Sequence, residues 1–140
     1  MQLENRTFAD VTLCGQTVSA QSELVSTDII NLTVEKAASC DYVLVGGRLC
    51  YTIVITNDSD VDFIEGQDEL GKIIFRDPLA DNLTYVTDSF TISINGGTAV
   101  PATPTLVGNV LTYDGIELEA GQFATVVFCV IVGLPEEDED

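Results

Sequence analysis

The side chains in this sequence with chemistry to offer are four cysteines, one acidic loop and a lysine in a β-branched run. Cys14, Cys40, Cys50 and Cys129 are widely spaced, and no two form a Cys-X-X-Cys pair. An even, scattered set fits disulfides better than a zinc knuckle, and disulfides imply an oxidising, extracellular destination. The acidic loop holds Asp58, Asp60 and Asp62, with Glu65, Asp68 and Glu69 beyond. Asp58, Asp60, Asp62 and Glu69, at the twelfth place, copy the carboxylate spacing of an EF-hand calcium loop. Phe63 stands at the sixth place, where that loop needs glycine, and strand-like segments flank it. The alternatives are therefore a looser calcium site and a solvated acidic loop. Lys36 invites comparison with Lys–Asn crosslinks, but the closing segment 122–132 contains no Asn or Asp. Pairing with a surface carboxylate is the expectation.

The missing residue types narrow the function as much. With no histidine in the chain, neither a Ser-His-Asp or Cys-His relay nor a His-rich zinc site can be built. No enzyme is expected, and calcium is the one candidate cofactor. Acidic residues number 23 against 5 basic, a formal net charge of −18. That field repels phosphate backbones, so no nucleic-acid partner is expected. No apolar run approaches the roughly 20 residues that span a bilayer, so membrane insertion is not expected. The opening residues, Met1 to Asn5, lack the basic and apolar regions of a secretory leader. Either a leader has been removed or the protein leaves its cell by another route, such as lysis.

Period-2 alternation of β-branched residues predicts an all-β chain with one core. Strands are expected at 32–36, 42–45, 49–56, 72–75, 83–86, 89–94, 110–113, 116–118 and 122–132, with turn residues between them. The stretch 95–104, with Gly96, Gly97, Pro101 and Pro104, reads as a loop. Residues 31–134 form the expected sandwich domain and 135–140 an acidic tail. Residues 1–30 alternate weakly at 7–13 and 16–25 and form an extension. It is either an extra hairpin packed on its own domain or an extended arm that pairs with a neighbouring subunit's sheet.

Several segments resemble the repeated β-sandwich domain of bacterial surface proteins known as domain of unknown function eleven. Leu32-Thr-Val-Glu-Lys-Ala-Ala-Ser39 is similar to its opening strand, and Tyr51-Thr-Ile-Val-Ile-Thr-Asn57 to its most recognisable strand and turn. Phe75-Arg-Asp-Pro-Leu-Ala-Asp-Asn-Leu-Thr-Tyr-Val86 resembles its mid-domain segment, and Ile116 to Phe128 its closing turn and strand. The resemblance implies an immunoglobulin-like antiparallel β-sandwich, without enzymatic activity, in cell-surface or spore-surface proteins and appendages. That family occurs as tandem repeats, whereas this chain has one copy with four cysteines and an extension. The departure favours a self-assembling subunit, a homopolymer of copies of itself, over a passive spacer. The alternative is a cell-surface adhesin or ligand-binding module, with calcium held by the acidic loop.

Alternation also gives the cysteines directions. If Leu49, Tyr51, Ile53 and Ile55 face the core, Cys50 and Val54 face outward, and in the closing strand Val127, Cys129 and Ile131 do the same. Val54, Val127 and Ile131 then form an apolar assembly face, covered by the extension or another subunit. In the arrangement the resemblance implies, Cys50 and Cys129 can be neighbours, as free thiols or as one bridge. Cys14, on the extension, can instead reach a cysteine of an adjacent copy.

Overall fold

The computed structural model describes residues 2–65 and 71–134, without the side chain of Val25. Asp68, Glu69 and the acidic tail lie outside the described residues. Within them, turn residues divide the chain into β1 (Gln2–Asn5), β2 (Phe8–Leu13), β3 (Gln16–Gln21), β4 (Val25–Asp28), β5 (Leu32–Ala38), β6 (Arg48–Asn57), β7 (Ile73–Pro78), β8 (Leu83–Tyr85), β9 (Thr91–Ile94), β10 (Val100–Pro101), β11 (Thr105–Val107), β12 (Val110–Ile116) and β13 (Phe123–Val132). The fold is all-β with every pairing antiparallel.

The larger sheet runs β10-β9-β13-β6-β5, with β8 pairing β13 above β9, and the smaller runs β11-β12-β7. Strands β6 and β13 are the two longest because their alternation is least interrupted. Ile53 and Ile55 of β6 and Ala124, Val126, Phe128 and Val130 of β13 are buried. The smaller sheet meets this row with Ile73, Phe75, Leu111 and Ile116. Ring contacts join the layers: Phe75 lies 6.2 Å from Phe128 and 5.7 Å from Phe90, and Phe90 lies 5.3 Å from Tyr113. Such edge-on and tilted pairs add to the burial of their area.

The expected strand at 42–45 does not form. Gly46 (φ 85°) and Gly47 reverse the chain there, Gly47 N–H bonds back to Leu44 O at 2.8 Å, and Tyr42, Leu44 and Val45 are exposed. Strand β11 lies beyond the expected 95–104 loop, in a stretch with no expected strand; it forms because Gly108-Asn109, with φ of 57° and 64°, makes the two-residue reversal that matches strand twist. Val100–Pro101 pairs with β9 at the sheet edge, where proline's missing N–H breaks no inner ladder. The two strands expected at 110–113 and 116–118 merge into β12, with an irregularity between Asp114 and Ile116.

Lys36 crosses the open side between the sheets. Its Nζ lies 2.7 Å from Asp77 Oδ2 and 4.3 Å from the Tyr51 ring centroid. The partner is a largely buried carboxylate, not the surface one expected, because β7 faces β5 across this gap. Lys36→Met keeps the stem and strands that carboxylate, so a loss of about 1–3 kcal/mol is expected in urea unfolding. An unchanged midpoint would mean that the pair is energetically neutral.

Candidate assembly site

Strands β1 to β4 form one two-stranded ribbon. Its tip is Cys14-Gly15, with φ of 53° and 76°, and the ladders β2–β3 and β1–β4 follow each other away from that turn. Thr7 and Ser22 bridge the two ladders through Ser22 N–H to Thr7 O and Thr7 N–H to Ser22 Oγ. The register sorts the β2–β3 side chains into two faces. Ala9 opposite Ala20, Val11 opposite Val18, and Leu13 opposite Gln16 make one face; Phe8 opposite Gln21, Asp10 opposite Ser19 and Thr12 opposite Thr17 lie on the other, polar except for the exposed Phe8. Both faces are bare: Val11 and Val18 are 67% and 71% exposed. The extension is therefore a hairpin that does not pack on its own domain. A lone two-stranded hairpin is marginal in water, and its stability normally comes from a third strand or a packed face.

The ribbon's root is fixed. Asn31 N–H donates to Ser59 Oγ at 2.7 Å, Ser59 Oγ donates to Asn31 O at 3.0 Å, and Asp58 N–H donates to the same oxygen. Ser59 N–H in turn donates to Oδ1 of the fully buried Asn57.

Beside the root the two sheets are mismatched in width. β5 overhangs the smaller sheet, so of its core-facing row only Lys36 meets a partner across the gap, Asp77 of β7, and Leu32 and Val34 have no strand opposite. Val34 is 64% exposed although it pairs with buried Ile55. The result is an apolar groove of about 600 Å³ between β5 and β7, floored by Ile53, Ile55, Ile73 and Phe75. Both walls are sheet edges: among the described residues β5 pairs only with β6, and β7 only with β12. Alternation in 32–36 puts Leu32 and Val34 on one face, but the vacancy opposite them depends on strand order, which the local pattern does not carry.

The cysteines divide two and two. Cys50 and Cys129 sit directly opposite in the β6–β13 ladder, with Cα atoms 4.0 Å apart, and are joined by a disulfide. Their backbone groups point away from each other. Cys50 bonds to Ser39 and Cys129 to Val86 and Ser89, so they form a close, non-hydrogen-bonded pair. Cys14 and Cys40 are free and exposed.

The acidic loop is used locally. Asp58 accepts from Asn31 Nδ2, Asp62 Oδ1 accepts from Ala120 N–H at 2.8 Å, and Glu65 pairs with Lys72 at 2.9 Å. Hydrogen bonding to Glu65, then its charge, raises the Lys72 pKa above its ordinary value. That contribution is present below the unfolded pKa and is lost as pH rises through the folded one. Among the described residues no three acidic or cysteine side chains gather as a metal site; Asp58, Asp60 and Asp62 do not converge, and Glu69 lies outside them. The expected assembly face is less apolar than one strand suggested. Val54 and Val127 are half-buried, but Thr52, Thr56, Thr91 and Thr125 flank them across the ladders, leaving Ile131 the more exposed.

The fold and site thus define an all-β protein of several antiparallel sheets with one internal disulfide, a bare N-terminal ribbon and an open groove. No family model matches the chain, and neither curated proteins nor solved structures give a match.

Proposed function

We propose that this chain is a structural subunit of an extracellular or spore-surface filament. An immunoglobulin-like sandwich joins copies of itself by strand addition through the N-terminal ribbon, and Cys14 and Cys40 make the contact covalent. The observation behind this reading is the ribbon: two ladders with one apolar face, every described side chain exposed. An element so placed is stabilised when another chain covers it. A contact of one end with a different surface propagates as a fibre when its rotation does not close into a ring.

Cys50 and Cys129 are consumed internally, so only Cys14 and Cys40 remain for links between copies. Cys14 also holds a left-handed backbone conformation that Asn or Gly adopts more readily. A cysteine at the tip despite that preference fits a role for its thiol. Joining two thiols forms one S–S bond and releases two protons and two electrons, which dioxygen or a small-molecule disulfide accepts.

The test is a denaturing gel of protein whose thiols are blocked at lysis. A ladder of multimers is expected without reductant, collapsing to monomer with it and shortening in Cys14→Ser and Cys40→Ser. A monomer band in every lane would remove the covalent link and favour a ligand-binding module.

A further inference from the structure

We propose that the groove between β5 and β7 is the acceptor for the N-terminal ribbon of a second copy of this chain. One ribbon strand pairs with the free edge of β7, and the Ala9, Val11, Val18 and Ala20 face seats over Leu32 and Val34. The inference rests on the strand-adding subunit reading and adds the surface on which addition happens.

Three features fit the ribbon to this groove. The first is the vacancy itself. A strand added to β7 widens the smaller sheet until it lies opposite β5 and covers the one core-facing row that is bare. Alternation then turns one face of the newcomer down onto Leu32 and Val34 and the other out to water, which matches the apolar face of β2–β3 and the opposite face, polar at every position but Phe8.

The second is length. β2, β3 and β7 have 6 residues each, and a strand of that size spans roughly 20 Å. The third is charge. The chain has only 5 basic residues, and two of them line this groove: Lys36, already paired with Asp77 of the same lining, and Arg76. Arg76 is exposed and has no ion-pair partner among the described residues. The ribbon brings Glu4, Asp10, Glu23 and Asp28 against a single Arg6. On a surface where copies otherwise repel, the groove is where an acidic ribbon meets the Arg76 cation.

A second copy is favoured over the chain's own ribbon by where that ribbon lies. Its root, Asn31, is held by Ser59 and Asp58, and its own strands leave the groove open, with Val11, Val18 and Val34 all exposed. The three Cα steps from Asp28 to Asn31 span at most about 11 Å, close to the roughly 10 Å between facing sheets, which leaves no slack for the ribbon to turn back along β7.

The experiment uses the full chain in a Cys14→Ser/Cys40→Ser background, so that only noncovalent association is read, by sedimentation velocity over a concentration series. Val34→Asp spoils the groove and Val18→Asp spoils the ribbon; both sites are exposed, and thermal melting checks that each variant folds. Each alone is expected to raise the association midpoint at least tenfold. Mixed in equal amounts, the intact ribbon of the first fills the intact groove of the second, and association is restored but stops at the heterodimer.

If Val34→Asp assembles like its parent while Val18→Asp does not, the ribbon docks elsewhere, and the groove assignment falls while strand addition stands. If both assemble like the parent, or the parent is monomeric throughout, strand addition itself falls and takes the groove with it. A mixture that stays monomeric also overturns the proposal. Should Val34→Asp melt early, Leu32→Asp on the same row takes its place.

Discussion

The Cys50→Ala/Cys129→Ala double variant is expected to lose about 4 kcal/mol of stability, the largest stability change expected from removing one link in this fold. The two cysteines are 79 residues apart in sequence, and a crosslink closing a loop of that size removes a corresponding chain entropy from the unfolded state. In the folded state little changes. The strands are already paired on both sides of the bridge, and Ser39, Val86 and Ser89 continue to satisfy the backbone at both positions.

The effect should therefore appear in the unfolded chain. Without the loop it expands and exposes more surface, so the urea m-value rises as the midpoint falls. In thermal unfolding the same loss corresponds to a drop of roughly 10–20 °C for a domain of this size. A loss below about 1 kcal/mol at constant m would mean that the unfolded chain is compact enough for the bridge to constrain little.

How much of this was legible in the sequence follows from what each feature depends on. The longest strands were, because Leu49, Ile53 and Ile55, and Ala124, Val126, Phe128 and Val130, alternate without interruption. The outward direction of Cys50 and Cys129 came from that same alternation. Their pairing did not, since it depends on which strands are neighbours and on register. The segment 42–45 misled because apolar β-branched composition resembles a strand whether or not a partner exists. In the fold, two glycines turn it away from any partner.

The partners of the acidic loop were not legible. Carboxylate spacing copies a calcium loop, while Asp62 bonds to Ala120, 58 residues away, and Glu65 to Lys72. The proposed assembly surface was half legible. The extension was recognisable by its weak, polar alternation, and its two faces emerge once the turn is set at Cys14-Gly15. The groove depends on the smaller sheet ending one strand short of β5, which local pattern does not encode. Val54 and Val127 share the outward face, but the threonines beside them come from neighbouring strands, which one strand's pattern does not show.

Asn57→Asp is expected to cost about 3 kcal/mol or more at pH 7, and less at pH 4. The Asn57 side chain is fully buried and fully used: Nδ2 donates to Val61 O at 2.8 Å and Leu118 O at 3.2 Å, and Oδ1 accepts from Ser59 N–H at 3.1 Å. These bonds close the 57–63 loop against the segment that leads into β13, where Phe63 and Leu118 form a bridge. An aspartate has the same shape but only acceptors when ionised, so one oxygen would face two carbonyls without water. The ionised form is penalised in the fold, and the folded pKa of the new carboxyl rises above its unfolded value of about 3.9. The folded state then holds the proton more tightly, and stability falls as pH rises through the unfolded pKa and beyond.

Urea unfolding at the two pH values reads this directly, with Asn57→Leu as the comparison. Leucine strands the same backbone groups with no titration, so its loss should be similar at both pH values. A pH-independent loss for Asn57→Asp would mean that the carboxylate turns out to solvent. The consequence extends beyond stability. Asn57 fixes Ser59, Ser59 holds Asn31 on both sides of its peptide, and Asn31 roots the ribbon. On the proposed strand-addition reading, a variant that remains folded but loosens this knot should weaken association between copies, because the ribbon would leave its root in many directions and only a few of them present it to the next groove.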